Sequence, residues 1–248
     1  MSTINLICGD SIRLLPTLIG RINPSFDMIF LDPPFTKWHA SDIGKYNVNQ
    51  LSHCTNRLLK PEGVVWLWGY TPQLINDWGY WRRWFKCVFD MVRTKPSGCP
   101  PPTNVQYPMR AHENVWCLIK KKAKVTETKL MMRRKSKIVK IKEDITSMRA
   151  DGRAKKYKQY KIPVWVRSYY GYSSIGRNSK EYLGHPTQKP LELVKKLVET
   201  STHEKDWILD PFAGSSATLQ AAYELNRSCL GIEIEPKYCK MKRRRLNV

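Results

Sequence analysis

An α/β fold with a largely parallel sheet is predicted by three features of the 248-residue sequence. Short continuous apolar runs such as Met28-Ile29-Phe30-Leu31 read as strands buried on both faces, the habit of parallel rather than half-exposed antiparallel sheets. Such runs alternate with helix signals over residues 1–119 and again over 184–248. The 42% hydrophobic content is ample for one large core carrying an insertion.

The elements follow in order. INLIC (4–8) and FDMIFL (26–31) are predicted strands, HCTNRLLKPEG (53–63) a helix ending at Gly63, and VVWLWG (64–69) a third strand. Leu74, Trp78, Trp81 and Phe85 recur at helical spacing and predict a helix that lays its aromatic face on the sheet; a stacking platform for bases is the competing reading. Asn114–Ile119 is a further strand. Past His185, Pro190 sits at the first turn of a helix with Leu191, Val194, Leu197 and Val198 on one face. WILD (207–210) is a strand, PFAGSS a small-residue turn, ATLQAAYELN a helix, CLGIEIE (229–235) a strand, and PKYCKMKRRR (236–245) a basic last helix.

Charge points to the partner. The chain carries 43 Lys+Arg against 21 Asp+Glu, a net +22, which implies a polyanion, with nucleic acid first. Residues Lys120 to Lys161 concentrate it, with 17 basic residues against 4 acids, or +13 of the total. Here IVKIK alternates like a strand, and YKQYKIPVWVRSYYGY interleaves cations with aromatic rings, which suits phosphate contact plus stacking. The segment 120–183 is therefore read as an inserted nucleic-acid-binding region, with Arg133, Arg134, Lys135, Lys155, Lys156, Lys158 and Arg177 as candidate nucleic-acid contacts and Arg243 to Arg245 in reserve. The start of the chain shows no signal-peptide pattern, and no run approaches the ~18 apolar residues of a membrane span. A soluble protein that stays in the cell is expected. The seven cysteines form no CxxC pair, so they are expected reduced, with neither a metal site nor a disulfide framework. Cys99, in GCPPPT, reads as a loop cysteine rather than a nucleophile.

Two stretches carry chemistry. Asp32 follows the apolar run Met28–Leu31, placing it at a strand's carboxyl end, where ligands sit in open α/β sheets. Pro33 and Pro34 remove two backbone donors, so the loop is a stiff cluster of acceptors beside the ring of Phe35. That combination suits a flat, amine-bearing ligand. The second stretch, WILDPFAGSSATL, is a strand, a tight turn and a helix start, in which backbone closely approaches a nucleotide-like cofactor. Glu233, about twenty residues further on, can accept both hydroxyls of a ribose. The turn lacks GxGxxG spacing, and Asp210 would repel a phosphate, so a cofactor without phosphate and with a positive centre is favoured.

LDPPF, HPTQKP, DPFAGSSAT and GIEIEPKY, in that order, resemble the motifs of the β-group amino-DNA methyltransferases. GDSIRLL and RAHENVWCLIK are similar to that family's opening segment and its "HE" strand. The resemblance implies a Rossmann-like methyltransferase fold with a circularly permuted motif order. It divides the chain into a catalytic half (1–119), a target-recognition insertion (120–183) and a cofactor half (184–248). It also implies S-adenosyl-L-methionine as cofactor, held by Asp10, Asp32, His185, Thr187, Lys189, Asp210, Phe212, Ala213, Gly214, Ser215 and Glu233, and catalysis by Asp32, Pro33, Pro34 and Phe35 on a base flipped out of double-stranded DNA. Restriction-modification is the implied setting, and a homodimer a further candidate assembly. Two positions depart from the family pattern: Ser216 replaces a second glycine, and Phe35 replaces the commoner tyrosine. Asp at the first motif position leans toward adenine N6, with cytosine N4 as runner-up. A DNA-binding relative without catalysis and an RNA or protein-amine methyltransferase are the competing classes.

Overall fold

The computed structural model describes residues 2–21, 25–34, 46–99, 110–123, 140–148, 154–160, 169–170, 175, 179–241 and 245. Phe35, Arg133, Arg134, Lys135 and Arg177 lie outside them, as do the side chains of Lys155, Lys156 and Lys158. Strands β1 (Ile4–Cys8), β2 (Phe26–Leu31), β3 (Leu59–Gly69), β4 (Phe85–Cys99), β5 (Arg110–Lys120), β8 (Tyr169–Tyr170), β9 (Trp207–Asp210) and β10 (Ser228–Glu233) form one sheet in the order β1-β10-β9-β2-β3-β5-β4-β8. The five strands from β1 to β3 run parallel, whereas β5 joins β3 antiparallel and β4 joins β5 antiparallel.

Alternate side chains of the buried strands serve two cores. Met28 and Phe30 face a cluster with Trp66, Trp68 and Val115, covered by α4 (Leu191–Ser201) and α5 (Ala217–Glu224). Ile29 and Leu31 face the opposite cluster with Val65 and Leu67, covered by α1 (Ser11–Ile19), α2 (Val48–Leu58) and α3 (Thr71–Trp81). Because both faces are packed, the strands need apolar residues at every position, which is why their sequences run apolar without alternation.

Several boundaries differ from the sequence expectation. The helix expected to end at Gly63 stops at Leu58, and Leu59 is already extended at φ −73°, ψ 137°. The residue before a proline disfavours helical backbone, and Lys60 precedes Pro61, so the strand starts early. Phe85 opens β4 instead of closing α3, whose Leu74 and Trp81 are buried while Trp78 meets Trp116 edge-on at 5.5 Å. These rings pack on the sheet. Pro190 is the N-cap of α4, one position earlier than expected. Cys8 and Cys239 are joined by a disulfide across 231 residues, against the expectation of reduced cysteines. Sequence spacing could not show it: β1 and β10 lie in register with Cys8 opposite Glu233, and α6 (Pro236–Cys239) turns back from that point.

Within 120–183, β6 (Lys140–Met148) and β7 (Ala154–Tyr160) pair antiparallel, and the last three residues of IVKIK, Lys140 to Lys142, open β6. β8 joins the main sheet beside β4, Val92 opposite Tyr169. Among the described residues, no helix is long and apolar enough to cross a membrane.

Candidate active site

Four neighbouring parallel strands each end on or beside a carboxylate. Asp10 follows β1, Glu233 ends β10, Asp210 ends β9 and Asp32 follows β2. Parallel strands discharge their loops at one edge, so these acids, distant in sequence, converge on a single cavity of about 490 Å³. Its walls include Asp32, Pro33 and Pro34 at one end, and Asp210, Phe212, Ala213, Gly214, Ser215, Glu233 and Asp10 at the other. His185, Thr187 and Lys189 close it from the loop before α4. Every described residue expected in the cofactor or catalytic set therefore lines one space.

The turn after β9 explains its small residues. Gly214 has φ +49°, and a Cβ there would come within 3.1 Å of His185 Nε2, so only glycine fits without displacing the ring. Ser216 also adopts left-handed backbone, φ 62°, where the family pattern has glycine. Its hydroxyl is buried and makes no hydrogen bond among the described residues. Gly231, on β10, would clash with Leu219 and Leu6 if it carried a side chain, because α5 presses close against the sheet.

The carboxylates are held by different means. Glu233 accepts the Gly214 N–H on Oε2 at 2.7 Å and the Glu235 N–H on Oε1 at 2.8 Å. Burial raises its pKa, partly offset by those donors. Asp210 is buried and accepts the Phe212 N–H at 3.0 Å. Burial pushes its pKa up to about 7; hydrogen bonds from Thr218 and Phe212 oppose that, and repulsion from Asp32 and Glu233 adds to it. Asp10 accepts the Ile12 N–H at 2.8 Å and so caps α1 while facing the cavity. Asp32 is bonded through Oδ2 to the Lys189 ammonium, which is almost fully buried.

His185 stacks at an angle on Tyr238, centroids 4.3 Å apart, and its Nδ1 accepts the Thr187 N–H at 3.3 Å. Burial, then the charges of Lys189, Lys237 and Arg245, lower its pKa to about 4. It is neutral near pH 7. Arg245, held in reserve as a DNA contact, is instead buried, donating to the Ser215 carbonyl at 3.3 Å and to Glu181 at 3.2 Å.

Sequence reasoning missed Tyr46, Trp68 and Tyr238. Tyr46 lines the cavity, donates to Asp77 at 3.1 Å, accepts from Gln73 at 2.9 Å and meets the Phe212 ring edge-on. No local signal marked it; Tyr238 lies inside the motif GIEIEPKY, and Trp68, which packs behind the cavity wall against Lys189, lies inside the predicted strand VVWLWG. Among the described residues no group of three His, Cys, Asp or Glu could hold a metal ion.

The sequence matches the N6_N4_Mtase family, described as DNA methylase, over residues 26–244. It is 28% identical over 267 residues to the type II methyltransferase M2.LlaDCHI of Lactococcus lactis subsp. cremoris, covering 98% of this chain and 88% of that protein. It is 40% identical over 94 residues to the DNA adenine methyltransferase YhdJ of Escherichia coli, covering 37% of this chain and 30% of that one. Its fold matches the M1.HpyAVI-SAM complex with a TM-score of 0.66 at 23% identity, covering 99% and 100% of the two chains. It likewise matches the cytosine-N4-specific PvuII DNA methyltransferase with a TM-score of 0.66 at 18% identity, covering 99% and 86%. The acid-lined strand edge and this match agree: the chain belongs to the N6/N4 DNA methylase family.

Proposed function

We propose that this DNA methyltransferase acts on the N6 amine of adenine, in a base flipped into the cavity beside Asp32. The observation that carries the reading is the placement of Asp32, Pro33 and Pro34 in the same cavity as the Asp210–Ser215 turn and Glu233. The cofactor is S-adenosyl-L-methionine, and the cavity suits it: Gly214 leaves room a Cβ would fill, and the mutually repelling carboxylates favour a cationic centre over a phosphate. Asp10, His185, Thr187, the 210–215 turn and Glu233 are its proposed binding residues, with ribose hydroxyls on the lone pairs that Glu233 retains after accepting two backbone donors. When bound, the cofactor supplies an electrophilic methyl group.

The chain's own residues handle the amine. Asp32 and the Pro33 carbonyl accept its two protons in hydrogen bonds, which turns the nitrogen lone pair out of conjugation with the ring. The two prolines keep those acceptors rigid, so orientation supplies much of the rate and no covalent enzyme intermediate is required. The preference for adenine is supported by Asp at the motif's first position and by the name of the relative YhdJ. Digesting methylated DNA to nucleosides is expected to yield N6-methyladenine; N4-methylcytosine alone would refute the base assignment and leave the fold intact.

The segment 120–183 is proposed to bind DNA and choose the sequence, through Arg133, Arg134, Lys135, Lys155, Lys156, Lys158 and Arg177. Its concentrated positive charge supports this. Replacing Arg133, Arg134 and Lys135 together by alanine should weaken DNA binding about tenfold or more and flatten its salt dependence, because each lost phosphate contact removes counterion release. Cofactor affinity should not change. Wild-type affinity and salt slope in the triple variant would move the recognition role elsewhere.

A further inference from the structure

Lys189 is a buried cation aimed at the catalytic end of the cavity. Only 5% of its side chain is exposed, and its ammonium bonds Asp32 Oδ2, a residue 157 positions earlier in the chain. Two further contacts surround the nitrogen: the Thr187 carbonyl at 3.5 Å and the Trp68 ring face, 5.0 Å from its centroid. An ammonium has three N–H donors, and these three contacts match them in number. Trp68 is itself fully buried, at the end of β3. The backbone that carries the lysine is equally fixed. Pro190 caps α4, whose Leu193, Val194, Leu197 and Val198 are buried in the core, and the flanking Gln188 donates to the Glu181 carbonyl at 2.6 Å and accepts the Leu183 N–H at 3.0 Å.

A carboxylate on a short side chain rotates unless something holds it. Asp32 follows β2 and precedes two prolines, so its backbone is rigid, but rigidity of backbone does not orient the carboxyl group. Lys189 does. A carboxylate offers about four lone-pair sites, so an oxygen engaged by an ammonium leaves acceptor capacity for an amine. We propose that Lys189 is the positioning residue of the transfer step: it aims the Asp32 carboxylate at the target amine, and its contribution runs through that carboxylate rather than through the cofactor. This rests on the reading of Asp32 as the acceptor of the amine's protons.

The test separates the two routes. Transfer of labelled methyl groups to unmethylated bacteriophage DNA is measured at saturating cofactor for the wild type, Lys189→Met and Lys189→Arg, and cofactor binding to each is measured by titration calorimetry without DNA. If Lys189 aims Asp32, Lys189→Met lowers kcat by about 100-fold, the scale of a small misplacement in a reacting site, and leaves cofactor Kd within about threefold. Lys189→Arg, which keeps a cation over Trp68, recovers a large part of that loss. A Lys189→Met enzyme with wild-type kcat at saturation but a cofactor Kd at least tenfold weaker would overturn the proposal and assign the lysine to the cofactor. So would an equal loss in both variants, which would mark a packing role. Should Lys189→Met fail to fold, Lys189→Gln takes its place: kcat lowered about 100-fold with unchanged Kd, and largely recovered in Lys189→Arg, supports the proposal, whereas wild-type kcat with weakened Kd, or an equal loss in Lys189→Arg, overturns it. An Asp32→Ala enzyme with wild-type kcat on the same DNA would instead overturn the reading of Asp32 itself.

Discussion

The two ends of the cavity hold their carboxylates in opposite ways. At the β2 end Asp32 is paired with a buried cation, whereas at the β9–β10 end Asp210 and Glu233 rest on backbone and hydroxyl donors. An ion pair fixes both the charge and the direction of a carboxylate. Backbone donors fix direction but bring no full opposite charge, and burial pushes Asp210 up to about 7 despite them. One end is thus built to present an aimed acceptor. The other has electrostatic room for a positive ligand.

The largest expected effect lies at the paired end. Asp32→Ala should lower methyl transfer by at least about 1000-fold, since it removes an acceptor and strands a buried ammonium, while cofactor binding measured by calorimetry persists. A fully active Asp32→Ala would sink the mechanism. At the other end the loss should appear in affinity. Glu233→Ala should weaken cofactor binding by at least about 100-fold, because two hydrogen bonds from hydroxyls to a carboxylate are each worth about 1.5–3 kcal/mol. Equal affinity in the two proteins would remove the ribose assignment.

Next in size is a stability effect with a defined pH window. Asp210 binds its proton more tightly folded than unfolded, so its ionisation costs stability as pH rises from about 4 to about 7, by at most about 1.4 kcal/mol per unit. His185 acts oppositely. Its folded pKa is lowered from 6.5 to about 4, so it contributes stability above pH 6.5 that is lost as pH falls through that window. The two slopes oppose each other in the wild type. Asp210→Asn should therefore be more stable than the wild type above pH 7, and its denaturant-derived stability should rise with pH between about 4 and 6.5, where His185 then acts without its counterweight. The smallest effect is expected at Ser216→Gly, which relieves left-handed backbone and removes a buried hydroxyl without a described partner. It should stabilise the protein by about 1 kcal/mol, read from a thermal melt.

Much of this site was legible in the sequence because its determinants are local. A continuous apolar run followed by Asp-Pro-Pro specifies a buried strand and a rigid loop from neighbouring residues alone, and Phe26–Leu31 forms that strand with Asp32 just beyond it. In the turn 211–216 the left-handed backbone of Gly214 and Ser216 is likewise local, whereas the approach of the His185 ring to Gly214 is tertiary. Where local signals compete, boundaries moved: Leu59 looked helical by composition, yet Pro61 nearby favours the extended backbone observed.

Sequence alone determined the strands that carry the site, the acid at the end of each and the motif order, since these follow from residue type and near neighbours; β4, read in part as helix and loop, was decided by its pairing with β5. Only the tertiary structure decided which acid receives which partner. Strand order brings β10 between β1 and β9, which places Cys239 against Cys8 and lets the Gly214 N–H reach Glu233. The covering of one sheet face by α4 brings Lys189 onto Asp32 across 157 residues. Such pairings depend on which elements pack together and in what register, and the separation between the partners carries no imprint of that in either local sequence.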